Sequence, residues 1–477
     1  MNNLKRNIKI LFVVFSVLFF SLIGYLSYFQ LYERNKLITS SYSVYNKRLI
    51  EQEKKILRGS ILDRNGNILA KSEIINNEQV RQYPDGPAFA NVIGYSRRIY
   101  QQGSAGIENA YDKELLGMIN KDPMTFLRET ILGKGQRGDN VILTLDKNLQ
   151  NVAYNALGDR KGAVVALDPK TGEVLAMVSS PSYDPNTLGK NWNTLMNSPD
   201  AVMLNRATQG LFPPGSVFKI ITTSAALTYK PEILNQIFDS KGYIVVDGNK
   251  INDYGNIAYG TIDFKKAFYV SCNSVFIQVG LEVGRSNLEN MADKYGINGA
   301  IPFDIPTAAN QFPSIPVFGG KVQLAESSIG QGKILVTPLT MALMASAVAN
   351  DGVIMKPYLM KYVQDPLSGD ILEKTTPTKY LNPISPDVAN KIKQLMVGVV
   401  REGTGTAAQI PGITVAGKTG TAENPHGKSH AWFVCFAPAE NPKIAVSVIV
   451  ENGGTGGDVA APIASEVMKA YLSTNSK

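Results

Sequence analysis

Cysteine and histidine are nearly absent from this chain of 477 residues, which has two of each. Cys272 and Cys435 show no Cys-x-x-Cys or metal-ligand spacing. That argues against a disulfide scaffold and against a thiolate metal site, and both read as small apolar residues. His426 and His430 cannot build a multi-histidine metal centre. No metal or other cofactor is therefore expected, although one histidine could still serve as a base. The formal charge is +8 and the pI about 9.1. Yet Lys and Arg form no basic block, so there is no nucleic-acid footprint, and the surplus reads as a solvated surface facing an anionic environment. Fixed-period repeats and low-complexity tracts are also missing. What remains, 44% hydrophobic and 18% charged, is the composition of a folded protein long enough for two or three domains.

One segment stands apart. Ile10 to Tyr32 carries no charge over 23 residues, and Lys5, Arg6 and Lys9 precede it. At ~1.5 Å per residue such a helix spans the ~30 Å hydrocarbon core of a bilayer. It is longer than a signal-peptide core and no Ala-x-Ala-like cleavage site follows, so an uncleaved anchor is expected. Residues 1–9 then form a short cytoplasmic tail. Arg34 and Lys36 follow closely, so the charge bias is not one-sided. The short tail favours the N-terminus inside and the bulk of the chain outside.

Residues 33–55 read as a polar linker. Arg58 to Ala70 reads as a hairpin, with Asn65-Gly66 as a type I′ turn. Asp112 to Leu116 reads as a short helix, Val141–Leu145 as a strand, and Asp146 opens a helix. From about residue 150 the texture changes. Gly162–Leu167 and Glu173–Val178 pair around an Asp168-Pro-Lys-Thr-Gly172 turn. Ser385-Pro386 opens a helix whose apolar face is Val388, Ile392, Leu395, Met396 and Val399. Ile444–Val450 is a buried strand and Pro462–Tyr471 a closing helix. Strands at both ends with helices between them predict an α+β fold with an antiparallel sheet.

Three short motifs carry the chemistry. Ser216-Val-Phe-Lys219 holds the one serine in the chain with a lysine three residues on. Pro213-Pro214-Gly215 delivers Ser216 into a first helical turn, and the spacing puts Lys219 on the same face. A lysine that is partly neutral, through burial or a neighbouring cation, can take the serine's proton. The helix start offers a backbone N–H to an oxyanion. Ser271-Cys-Asn273 follows a helix over Phe264–Val270. Ser271 could relay a proton and Asn273 could bond a substrate amide, or both could be capping residues. Lys418-Thr419-Gly420-Thr421 has two decoys. Lys170-Thr171-Gly172 is the same tripeptide, read as turn chemistry. Gly412 to Thr419 also fits the phosphate-loop pattern GxxxxGK[ST]. That loop requires a following helix, which Gly420, Pro425 and Gly427 oppose. Thr414–Ala422 reads instead as a strand on a sheet edge, placing Lys418 and Thr419 beside an extended ligand.

With these motifs in hand, the chain closely resembles the class B high-molecular-weight penicillin-binding transpeptidases. The likeness also rests on Arg58-Gly59, Asp63-Arg64 with Gly66, Gly106-Ile107-Glu108, Asn205-Arg206-Ala207, Phe212-Pro-Pro-Gly-Ser216, Gly330-Gln-Gly332, Thr337-Pro338 and His430-Ala-Trp-Phe433. Ser271 and Lys418 lie 55 and 202 residues after Ser216, spacings similar to the family's.

The resemblance implies the sheet-and-helix fold shared with serine β-lactamases over 151–477, and a non-catalytic pedestal of the dimerisation type over 33–150. It implies Ser216 as the acylated nucleophile, Lys219 as base, Ser271 as relay, Asn273 as a substrate ligand, and Lys418 with Thr419 holding the donor's carboxylate. Gly420 and Thr421 would line the substrate, with the oxyanion held by the N–H groups of Ser216 and Thr421. Donor and acceptor would be peptidoglycan stem peptides, and β-lactams would acylate Ser216 as donor mimics. A membrane glycosyltransferase of the shape, elongation, division and sporulation type would be the partner. No room for a class A glycosyltransferase domain is expected between anchor and hairpin. The nearest alternatives are a D,D-carboxypeptidase or β-lactamase, in which water is the acceptor, and a non-catalytic β-lactam sensor or scaffold. A membrane NTPase is more distant.

Overall fold

The computed structural model describes residues 2–28, 56–76, 78–96, 103–118, 136–424 and 427–474. The expected linker at 33–55 lies outside them. Two units are distinct, Met1–Ile56 and Leu57–Lys477.

In the first unit, helix α1 runs Asn2–Tyr28. The most apolar 18-residue stretch of its Lys5–Tyr28 portion has mean hydropathy 2.4 and no buried residue, and the helix is long and apolar enough to cross a membrane. The helix begins earlier than the charge-free run at Ile10 because Lys5, Arg6 and Lys9 are good helix formers. Residues 29–32 of the expected span lie outside the described residues.

In the second unit, strands β1 (Ile61–Leu62), β2 (Ile68–Ile75), β3 (Glu78–Gln82) and β4 (Asn140–Leu143) precede helix α2 (Lys147–Leu157). Asp146 caps α2 by accepting the Leu149 N–H at 3.0 Å. Then come β5 (Gly162–Leu167) and β6 (Val174–Ser180), followed by helices α3 (Lys219–Tyr229), α4 (Phe264–Tyr269), α5 (Asn273–Val283) and α6 (Pro338–Ala349). Strands β7 (Met360–Gln364) and β8 (Ile371–Lys374), helix α7 (Pro386–Glu402), strands β9 (Ala416–Ala422), β10 (His430–Ala437) and β11 (Ile444–Val450), and helix α8 (Ala461–Thr474) complete the elements that matter here.

Five strands form an antiparallel sheet in the order β9-β10-β11-β5-β6. Successive residues of β10 serve opposite faces, as the two-residue period of a strand requires. Trp432, Val434 and Phe436 join one core with α3, α5 and α6, whereas Phe433, Cys435 and Ala437 join another with α2 and α8. Both faces being covered, every residue of β5, β6 and β11 is buried. Helix α6 is buried along all twelve residues, as a helix apolar on every side must be. It is too short for a bilayer and fills the core.

The second large sheet has six strands, in the order β8-β7-β4-β1-β2-β3. It draws strands from both sides of residue 150, since β7 pairs antiparallel with β4 while β1 pairs with β4 in parallel. The hairpin between β1 and β2 forms as expected, but its turn is not type I′. Only Gly66 has a positive φ, +84°, and its N–H bonds the Asp63 carbonyl at 3.1 Å. Asp63 also accepts the N–H groups of Asn65 and Asn67 at 2.9 and 2.8 Å. This is a type I turn closed by a glycine bulge, chosen because the aspartate side chain supplies bonds that a two-residue loop lacks.

Two sequence boxes meet beside this sheet. Glu108 is fully buried and accepts Arg58 Nε and Arg81 Nε at 2.7 Å each, and the Tyr83 hydroxyl at 3.1 Å. Burial pushes its carboxyl up, but Arg81 and Arg58 outweigh that and hold it below the usual carboxylate range. Further polar bonds join this region to the rest of the unit. Asp63 Oδ2 accepts the Lys147 N–H at 3.0 Å, and Asn205 Nδ2 donates to the Asn91 carbonyl at 2.9 Å.

Candidate active site

The site forms where α3, the α4–α5 corner and edge strand β9 converge. Ser216 lies in a 3₁₀ turn, Gly215–Phe218, that runs directly into α3. The turn is held from outside. The Gly215 N–H donates to the Gly330 carbonyl at 2.9 Å, and Trp432 Nε1 donates to the Pro213 carbonyl at 3.0 Å. Gly330 has φ +73°, and a Cβ there would lie 2.1 Å from the Gly215 carbonyl oxygen. No side chain fits at that position.

Lys219, the first residue of α3, is fully buried. Its Nζ donates to the Ser271 carbonyl at 2.6 Å and to Asn273 Oδ1 at 2.8 Å, with Ser271 Oγ at 3.3 Å. Lys418, on β9, is also fully buried, and its Nζ donates to Ser271 Oγ at 2.8 Å and to the Thr419 carbonyl at 3.1 Å. One serine hydroxyl thus bridges two lysines. Burial pushes Lys219 down to about 7, partly opposed by Cys272 and Asp253. Lys418 is held well below the ordinary lysine value by burial first and by the charge of Lys219 second. Among the described residues no hydrogen bond reaches the Ser216 hydroxyl.

The corner bearing Ser271 is a helix C-cap. The Cys272 N–H bonds the Ala267 carbonyl at 2.9 Å and the Ser271 N–H bonds the Phe268 carbonyl at 3.2 Å, which is the Schellman pattern at the end of α4. Its left-handed position, normally glycine, is Ser271, with φ +58°. A serine there is strained by about 1–2 kcal/mol. It persists because the side chain is wanted between the lysines.

Strand β9 passes the serine turn on its other side. Gly420 packs beneath it, so that a Cβ would fall 3.0 Å from Val217 Cγ1 and 3.1 Å from the Pro214 carbonyl oxygen. The Thr421 carbonyl borders Gly215, and Thr421 itself is half-buried. Thr419 Oγ1 pairs with Thr404 Oγ1 at 2.5 Å. The strand excludes a phosphate loop at Gly412–Thr419, and Lys170-Thr171-Gly172 is indeed the turn between β5 and β6. Sequence reading missed Thr404, which no motif marks, and the part played by Gly330, whose Gly-x-Gly spacing was the available signal.

The structure therefore brings Lys219, Ser271, Asn273 and Lys418 into one hydrogen-bonded cluster, with Ser216 and the Thr419–Thr421 edge flanking it. Cys272 points away from this cleft. Its thiol lies 3.3 Å from Ser240 Oγ, 3.3 Å from Ser274 Oγ and 3.4 Å from Asp253 Oδ1, and burial pushes it up.

Residues 162–469 match the penicillin-binding protein transpeptidase domain, and residues 58–141 the penicillin-binding protein A dimerisation domain. A peptidoglycan D,D-transpeptidase PbpA from Mycolicibacterium smegmatis is 36% identical, over 90% of this chain and 91% of its own. A peptidoglycan D,D-transpeptidase MrdA from Acinetobacter baumannii is 30% identical, over 84% of this chain and 67% of its own. Among solved structures, penicillin-binding protein A from M. tuberculosis as its ceftriaxone acyl-enzyme superposes with TM-score 0.82 at 34% identity, covering 89% of this chain and all of that one. The D,D-transpeptidase domain of a peptidoglycan glycosyltransferase from Eggerthella lenta gives 0.80 at 34% identity, covering 88% and 99%.

Proposed function

The chain belongs to the class B penicillin-binding proteins, and from that premise we propose that it is a membrane-anchored D,D-transpeptidase that cross-links peptidoglycan through an acyl-enzyme on Ser216. The observation that carries the assignment of roles is the pair of buried lysines sharing the Ser271 hydroxyl.

Deprotonated Lys219 keeps two N–H donors and gains a lone pair. The donors hold the Ser271 carbonyl and Asn273 Oδ1, and the lone pair takes the Ser216 proton as its Oγ attacks the donor's scissile carbonyl. The N–H groups of Ser216 and Thr421 receive the oxyanion. Ser271 passes a proton to the leaving D-alanine, and Asn273 bonds the donor's amide. Lys418, with Thr419, holds the donor's terminal carboxylate, and Gly420 leaves room for the peptide along β9. The arriving carboxylate raises the affinity of Lys418 for its proton and so favours the cation that holds it. The acceptor amine then attacks the ester and regenerates Ser216.

Helix α1 is the anchor, with residues 1–9 inside and the remainder extracytoplasmic. The unit from Leu57 onward carries the pedestal and the transpeptidase fold, and anchor and pedestal are the surfaces offered to a membrane glycosyltransferase. The test is labelling of the intact chain in detergent by a fluorescent penicillin, beside Ser216→Ala. Covalent label on the parent and none on the variant is the expected result. Label that persists on the variant moves the nucleophile elsewhere. A D-amino acid added with a thioester donor separates transfer from hydrolysis, and release of free acid alone would make the protein a carboxypeptidase.

A further inference from the structure

Helix α5 begins at Asn273 without a cap of its own. Its N-cap residue, Cys272, makes no side-chain cap bond. The missing acceptor comes from a distant part of the chain. Asp253, only 3% exposed, accepts the Ser274 N–H at 2.8 Å through Oδ1 and the Ser274 hydroxyl at 2.6 Å through Oδ2, with the Cys272 thiol at 3.4 Å. A carboxylate at that place satisfies an orphan N–H and lies at the positive end of the helix dipole. Its neighbour acts on the same corner, since the Asn252 carbonyl accepts Asn273 Nδ2 at 3.1 Å. That bond fixes the amide so that Oδ1 faces Lys219. The Asn252–Asp253 step is itself tied down, the Asp253 N–H bonding the Gly242 carbonyl at 2.9 Å and the Asp253 carbonyl accepting the Asn256 N–H at 2.9 Å.

We propose that Asp253 is a positioning residue of the Ser216 site, which caps α5 from outside and thereby holds the strained Ser271 corner and Asn273 against Lys219. Two helices end at this corner. The Schellman bonds secure only the α4 side, and the positive φ of Ser271 favours relaxation. Asp253 secures the α5 side by three donors drawn from Cys272 and Ser274, the residues flanking Asn273. Its charge also favours the protonated form of Lys219. The Cys272 thiol also bears on Lys219, and Lys418 lies across Ser271 from it.

This role rests on the reading of Ser216 as the acylated serine. Asp253→Asn keeps the shape and removes the charge and one acceptor. It is expected to lower the plateau rate of acylation by a fluorescent penicillin about tenfold or more, because a corner displaced by a fraction of an ångström misplaces both Ser271 and Asn273. It should also move the acid limb of the pH–rate profile to lower pH, since loss of an anion that favours the Lys219 cation makes that proton easier to remove. A role in stability alone leaves that limb where it is. A folded Asp253→Asn with the parental rate and limb overturns the proposal. If Asp253→Asn does not fold, Ser274→Ala decides by removing the 2.6 Å donor. A loss of about threefold or more then supports the proposal and the parental rate overturns it. Failure of the underlying reading is distinct, because it appears as an unlabelled parent.

Discussion

The burial of Lys219 sets a pH for the chemistry. An ordinary lysine titrates near 10.5, and here the group is pushed down to about 7. At pH 7 the free base is then about half the population, against about three parts in ten thousand for an unperturbed lysine, a gain of roughly three orders of magnitude in competent enzyme. The stability cost has a definite sign. The folded-state value lies below the unfolded one, so between about pH 7 and 10.5 the unfolded chain binds more protons and stability rises with pH from this group. Below pH 7 the full cost of the buried lysine is felt. The assay is acylation by excess fluorescent penicillin in rapid-quench, read as the observed rate from about pH 5.5 to 9.5. The rate should climb with unit slope and level off with a midpoint near 7. Lys219→Arg, which stays protonated throughout, should lose about a thousandfold or more and show no limb. A flat parental profile, a midpoint near 10, or an arginine variant within tenfold of the parent would refute the assignment of Lys219 as base.

Glu108→Ala leaves Arg58 and Arg81 buried beside an empty site, and urea denaturation should show a loss of about 3–5 kcal/mol; less than 1 kcal/mol would mean the cluster relaxes to water. Gly330→Ala forces a methyl onto the Gly215 carbonyl at 2.1 Å, so the serine turn must shift and acylation should fall about a hundredfold while the six-stranded sheet survives; an unchanged acylation rate sinks it. Cys272→Ser places a hydroxyl among Ser240, Ser274 and Asp253 and should leave acylation within several-fold of the parent, whereas a loss of orders of magnitude would give the thiol a part in the chemistry. Binding of a donor that carries a carboxylate should raise the pKa of Lys418 and so take up protons over the pH range in which that lysine titrates, because burial holds it low in the free protein. Calorimetry in buffers of different ionisation enthalpy reads this directly, and a donor lacking the carboxylate should take up none.

Much of the architecture is legible in local pattern. Asp146 and Ser385 cap α2 and α7 because their side chains reach N–H groups three residues on, a relation contained in four consecutive letters. The β5–β6 hairpin follows from apolar runs bounded by turn residues, and edge strand β9 from Gly420, Pro425 and Gly427, which oppose a helix there. Pairing over distance is not legible in this way. Nothing in Met360–Lys374 says that it completes a sheet begun at Ile61, since a strand pattern specifies a face and not a partner. The turn at Asn65-Gly66 departs from expectation for a related reason, because Asp63 competes for the same backbone groups. In the site, spacing marks Ser216, Lys219, Ser271, Asn273 and Lys418. It cannot mark Asp253 or Thr404, whose relation to them exists only after folding.

The shared sheet also bears on how the chain is made. Strand β4 has β1 on one side and β7 on the other. A chain emerging N-terminus first completes β4 and then waits about 220 residues for the strand that covers it. Throughout that interval the sheet presents an open row of backbone donors and acceptors, the feature that recruits strands from other chains. The transpeptidase sheet meets the same delay, because β5 and β6 precede β9, β10 and β11 by more than two hundred residues. Both sheets therefore close late, and assembly of this protein is a race between residues 360–450 and any neighbouring chain still waiting for its own.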